Sequence, residues 1–213
     1  MSITIKRELK KRLSKEEYAL LLSLDSPQKI QDHLDRLPFN HEEHGETNMT
    51  LLDIFKEKKA HCFEGALVAY AALTVHSYKP FLISLYVTDE DYDHCITVFK
   101  KGEYYGALSK TNHSVLTFRD PAYSTLRELA MSYFHEYFLI NNGKKTMRAY
   151  SKPFYLTQYT PTWIDGESDL LYIAYAIKDH ARYVVHPHIS HMTLRNATSL
   201  ERLGASTPRD GIA

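Results

Sequence analysis

The sequence predicts an α+β fold in which N-terminal helices pack against an antiparallel sheet. Three observations lead there. Apolar residues recur at helical spacing from residue 14 to 57 and again from 60 to 73. The period then switches to short β-rich runs between 80 and 119. These runs follow one another too closely for crossover helices, so they pair antiparallel. With 213 residues, 44% of them hydrophobic, the chain has material for one domain with a substantial core.

Ser14-Lys-Glu-Glu17 is a capping-box pattern and opens a helix carrying Tyr18, Leu20, Leu21, Leu22 and Leu24. Ser26-Pro27 starts the next, with Ile30, Leu34 and Leu37 at helical spacing. A polar connector over 38–45 and a short helix over about 50–58 lead to Ala60-His-Cys-Phe-Glu-Gly-Ala-Leu-Val-Ala-Tyr-Ala-Ala-Leu73, rich in the best helix formers. After Pro80 a strand runs to an acidic loop at 89–93. Strands follow at about 94–100, 103–109 and 114–119, the first two joined by a turn at Lys100-Lys-Gly-Glu103. Asp120-Pro121 is expected to break this pattern and Ser124 to cap a helix running to about Phe138, which Asn141-Asn-Gly143 ends. Beyond it, 153–161 reads as extended and 168 to about 183 as helical. The domain reading is a core over 1–150 that includes the N-terminal helices. Residues 151–213 form an extension packed on the same domain, with a frayed tail from about 203.

Lys+Arg and Asp+Glu number 26 each, so no net field draws the chain to nucleic acid or anionic lipid. No Gly-rich phosphate loop and no aromatic/basic stripe is present. Lys6, Arg7, Lys10, Lys11 and Arg12 read as a solvated helix face. They lead into no apolar segment, and the longest apolar stretch, within 65–73, is far short of the ~20 residues a span needs. Two cysteines make no disulfide framework. His41-Glu-Glu-His44 has its histidines three apart rather than four, and His186-Pro-His-Ile-Ser-His191 is interrupted by proline, so no metal and no cofactor is assigned. A cytoplasmic protein without nucleic-acid or membrane partners is expected.

The functional signal is Cys62. A thiol in the first turn of a helix faces unpaired N–H groups and the positive end of the dipole. Such surroundings can lower a cysteine pKa from about 8.5 to roughly 3.5–7.5. Some thirty residues on, Tyr92-Asp-His-Cys-Ile-Thr-Val-Phe99 reads as a strand carrying His94. A helix-start cysteine and a strand histidine suit a thiol nucleophile and its general base. Strand alternation puts His94, Ile96 and Val98 on one face and Cys95, Thr97 and Phe99 on the other. With His94 toward the Cys62 helix, Cys95 points away and is an inert sheet residue. The base needs a third group to orient it. Asn112, eighteen residues after His94 at the end of the hairpin partner strand, is the first choice, and Asp120 the competing one. The Cys62 N–H supplies part of an oxyanion hole.

At these residues the chain resembles the transglutaminase-like cysteine superfamily. The matching stretches are His61-Cys-Phe-Glu-Gly-Ala66, Asp93-His-Cys-Ile-Thr-Val-Phe99 and Gly102-Glu-Tyr-Tyr-Gly106. More narrowly it looks like a bacterial transglutaminase-like group with Lys59-Ala-His-Cys-Phe-Glu-Gly65, Ser109-Lys-Thr-Asn112 and Leu126-Arg-Glu-Leu-Ala-Met-Ser-Tyr-Phe134. The resemblance covers about 25–150 and implies a papain-like core, the cysteine helix packed on an antiparallel sheet that bears the histidine and its partner. In the superfamily the partner is usually the Asp of an Asp-Pro pair about sixteen residues after the histidine. Here Lys110 stands at that spacing, and Asp120-Pro121 lies ten residues later.

The function expected is that of a cysteine-dependent acyl-transfer enzyme, an amide or peptide hydrolase or an acyltransferase. It would use a Cys-His-Asn/Asp triad on a peptide or small amide or ester substrate. The alternative is a catalytically idle scaffold serving as a binding module.

Overall fold

The computed structural model describes residues 2–43, 45–166 and 169–206. Five helices come first: α1 (Ser2–Arg12), α2 (Lys15–Ser23), α3 (Pro27–Arg36), α4 (Leu51–Glu57) and α5 (Cys62–Val75). Strands β1 (Phe81–Tyr86), β2 (His94–Lys101), β3 (Tyr104–Leu108) and β4 (Arg119–Tyr123) follow, then α6 (Leu126–Phe134). The remainder supplies β5 (Ala149–Ser151), α7 (Thr162–Asp165), α8 (Leu171–Lys178), β6 (Arg182–Val184) and α9 (Ser199–Ala205). The strands form one antiparallel sheet in the order β4-β3-β2-β1-β5-β6. The N-terminal helices pack against it, as the change of period predicts.

Helix α5 is the axis of the fold. Every residue from Phe63 to Val75 is buried, so it has no polar face. A helix apolar all round must be covered all round. Helices α1 to α4 contact it on one side and β1 and β2 on the other. Thr97 Oγ1 donates to Ala66 O at 2.7 Å and ties β2 to its first turn.

The two sheet faces divide two cores. Leu82, Cys95 and Phe99 lie with α5, whereas Ile83, Leu85, Ile96 and Val98 lie with Leu129, Ala130 and Tyr133 of α6. The face reading is therefore corrected: the Cys95 face of β2, not the Ile96 face, covers α5.

Several local readings differ. The basic N-terminal stretch is half of an amphipathic helix, because Ile5, Leu9 and Leu13 recur every four residues and are buried. Asp120-Pro121 lies inside β4 rather than ending the strands. Proline is tolerated there because β4 is the sheet edge and needs only one row of hydrogen bonds. Residues 114–118 form turns instead of the expected strand. Thr125, not Ser124, caps α6 through a reciprocal box with Glu128, and the helix stops at Phe134. Residue 150 falls within β5, and β6 pairs beside it, so the C-terminal segment completes the sheet. The helix expected over 168–183 spans Leu171–Lys178, and Ser168 lies outside the described residues. Thr198 and Glu201 form another capping box that starts α9, so the expected tail begins helical; residues 207–213 lie outside the described residues. No helix among those described is long and apolar enough to cross a membrane.

Candidate active site

Cys62 is the first residue of α5, and the cap that positions it is unusual. His61 stands in extended backbone at the N-cap, where Ser or Thr is the common choice. Its Nδ1 accepts from Phe63 N–H at 3.2 Å, and its Nε2 donates to Thr47 O at 2.7 Å. Glu64 closes the capping box by accepting from His61 N–H at 2.8 Å. The Glu64 carboxylate has no solvent exposure, and its other acceptor sites are filled by Met49 N–H at 3.1 Å and Asn40 Nδ2 at 3.2 Å. A buried carboxylate surrounded by donors anchors the 40–49 connector to the helix start. Cys62 thus sits on a clamped first turn.

Two imidazoles act on the thiol. Burial alone would raise the Cys62 pKa, but hydrogen bonding to His61 and His94, together with their charges, holds it well below the ordinary thiol value. His61 responds in kind. Burial opposes its cation, yet Cys62, Glu64 and the Thr47 carbonyl push its pKa up to about 9, and protonation at Nδ1 would exchange the Phe63 cap, which only the neutral ring accepts, for a donor. Cys95 behaves oppositely: burial, then the charge of Cys62, raises it well above the ordinary value. One cysteine is poised as a thiolate and the other is kept as a thiol.

Ser109 holds His94. The buried His94 Nε2 lies 2.6 Å from Ser109 Oγ, and that hydroxyl donates to Leu116 O at 2.8 Å. A hydroxyl whose proton is committed to a carbonyl can only accept from its second neighbour. The network therefore assigns the proton of neutral His94 to Nε2 and leaves the Nδ1 lone pair for the thiol. Ser109 is itself gripped by Gln31 of α3. Ser109 N–H donates to Gln31 Oε1 at 3.0 Å, and Gln31 Nε2 donates to Ser109 O at 2.8 Å. The carboxamide replaces a strand partner where β3 has ended, and Asp35 Oδ1 accepts its remaining proton at 2.8 Å.

Neither candidate for the orienting residue occupies that position. Asn112 lies in the loop after β3, and Asp120 lies in β4; both are exposed. Strand parity explains the difference. Thr97 pairs with Leu108 and Lys101 with Tyr104, so residues facing the same way as His94 in the partner strand carry odd numbers. Continuing the register one pair sets Ser109 opposite Ile96, diagonal to His94 and on its face. Residue 112 has the wrong parity for any two-residue turn at this place, a signal the sequence already contained. Lys110, at the spacing where the superfamily has Asp, is buried and sends Nζ to Leu37 O. Burial lowers its pKa, with Asp35 opposing. Its stem lies over Gly65, where an added Cβ would meet Lys110 Cβ at 2.3 Å.

Half-buried Cys62 opens onto a cleft of about 590 Å3. Phe63, Tyr86, Asp93 and Arg182 line it, and Cys95 reaches the same wall. Arg182 lies over the Tyr86 ring at 4.2 Å, so β6 furnishes one side of the opening. Burial raises the Asp93 pKa, against the Val87 N–H it accepts at 3.0 Å and the nearby Lys178 and Arg182. A capped thiol, an imidazole with an assigned proton and an open cleft are the parts of a nucleophilic site. Comparison with protein families and with curated proteins returned no match.

Proposed function

We propose that the protein is a cysteine-dependent acyl-transfer enzyme of transglutaminase-like type, with Cys62 as nucleophile and His94 as general base. The observation that carries this reading is the Ser109 bond at His94 Nε2, which leaves Nδ1 to serve a thiol already biased toward thiolate. Sγ passes its proton to His94 Nδ1 and attacks an amide or ester carbonyl, forming the C–S bond while the carbonyl electron pair moves to oxygen. The Cys62 N–H, at the positive end of α5, is the donor nearest that oxyanion. As the C–N or C–O bond breaks, His94 gives its Nδ1 proton to the leaving group. Water or a second nucleophile then attacks the thioester, returns a proton to His94 and releases Cys62.

The test is an activated ester such as p-nitrophenyl acetate. The expected result is a burst of nitrophenol with an acetyl adduct on Cys62, abolished in Cys62→Ala and slowed in His94→Ala. Turnover unchanged in Cys62→Ala overturns the reading. One observation favours a second reading, an idle scaffold that binds rather than reacts: the orienting group is a neutral hydroxyl, which cannot stabilise an imidazolium as a carboxylate does. That protein would alkylate at Cys62 yet never form an acyl adduct.

A further inference from the structure

Away from the Cys62 cleft, the segment between α6 and β5 frames a second cavity of about 300 Å3. Its polar wall is made by Lys144, Lys145, Arg148, Asn142 and Asn196, and its apolar wall by Met192 and Leu194. No carboxylate lines it.

Lys145 is the unusual member. It is 7% exposed, and its Nζ bonds an imidazole, His135 Nδ1, at 3.0 Å. Arg148 gives NH1 to the carbonyls of Lys145 and Met147 at 3.0 and 2.9 Å. Among the described residues, neither cation has a carboxylate within ion-pairing distance; the one carboxylate pair at this wall joins Lys144 to Glu90. A buried charge with no counter-charge is costly, and proteins pair such groups or neutralise them. Burial accordingly pushes the Arg148 pKa down, with Glu90 opposing.

We propose that this cavity binds a small organic anion, its phosphate or carboxylate head between Lys145 and Arg148 and its apolar body against Met192 and Leu194. The head supplies the missing counter-charge. The asparagines offer amide donors around it, and the cavity leaves room for a body beyond the head. This inference does not depend on the chemistry assigned to Cys62.

Phenyl phosphate and benzoate, with inorganic phosphate and sodium chloride as controls at matched ionic strength, test it by calorimetric titration of the full chain. Saturable binding of phenyl phosphate or benzoate is expected, tighter than that of inorganic phosphate. Lys145→Met, which keeps the buried stem, and Arg148→Gln should each weaken it about ten- to a hundredfold, the loss of one charge-assisted contact. If Lys145→Met does not fold, Arg148→Gln decides alone. No saturable binding, or binding unaltered in Arg148→Gln, overturns the proposal. Inorganic phosphate binding as tightly as phenyl phosphate removes the organic body from it.

Discussion

His94 Nε2 and Ser109 Oγ lie 2.6 Å apart, and the same hydroxyl donates to Leu116 O. This chain, not a carboxylate, sets the tautomer and the direction of the imidazole at Cys62. It reaches back through the Ser109 backbone to Gln31 of α3. The orientation of the imidazole is therefore a property of the helical layer as well as the sheet.

Iodoacetamide should modify one cysteine in the native protein. Cys62 is at the cleft with a depressed pKa, whereas buried Cys95 is raised well above the ordinary value. Mass spectrometry should show a single adduct, on Cys62, still forming at pH values where an ordinary thiol is protonated, and a second adduct only after denaturation. Equal labelling of both cysteines would contradict the assignment.

Ser109→Ala should slow Cys62-dependent acylation by a factor on the order of 10–100, the scale on which a misplaced catalytic group matters. The alkylation midpoint should also move toward the ordinary thiol value. Asn112→Ala and Asp120→Ala, at exposed positions, should leave that midpoint in place. The comparison of the three pH profiles is the measurement.

Gln31→Glu keeps volume but loses the donor. One carboxylate oxygen can still accept from Ser109 N–H, while the other faces Ser109 O and Asp35, both of which it repels. An unmet buried group costs about 1–3 kcal/mol. Urea denaturation should show a loss of at least that size, and the alkylation midpoint should drift as in Ser109→Ala. A variant with full stability would show that the clamp is dispensable.

Gly65→Ala sets helix propensity against packing. Alanine gains about 1 kcal/mol in a helix interior. The new Cβ would lie 2.3 Å from Lys110 Cβ, which is fixed to the backbone, and overpacking costs about 1–3 kcal/mol. The clash should win, and the urea midpoint should fall.

His61 predicts a pH window. Its pKa is raised from 6.5 to about 9, so its stabilising contribution is complete below 6.5 and is lost as pH rises through about 9. The depressed Cys62 contributes in the other sense, and its share vanishes as pH falls through its lowered value. The melting-temperature gap between the wild type and His61→Gln should therefore be wider near pH 7 than above pH 9, where only the cap on Phe63 N–H is left. A gap independent of pH would mean that His61 acts only as a cap.

The features legible along the chain are local. The capping box of Ser14 with Glu17, the proline at the start of α3, the apolar run within α5 and the switch to β-rich runs after Pro80 all act over one or two turns or a few strand residues. They are legible because helix and strand periods express themselves within such windows. The candidate pair, Cys62 at a helix start and His94 on a strand, was legible for the same reason, and the odd parity of the His94 partners could have been read from the hairpin turn.

What fills those positions depends on packing between distant parts of the chain. Gln31 reaches Ser109 across 78 residues of chain, and β6 comes back from beyond α8 to wall the cleft. Lys110 is held under α3 because Gly65 leaves room for it. No period in the sequence encodes these meetings. They follow from how α5, buried on every side, must be wrapped, and that wrapping is a property of the packed whole.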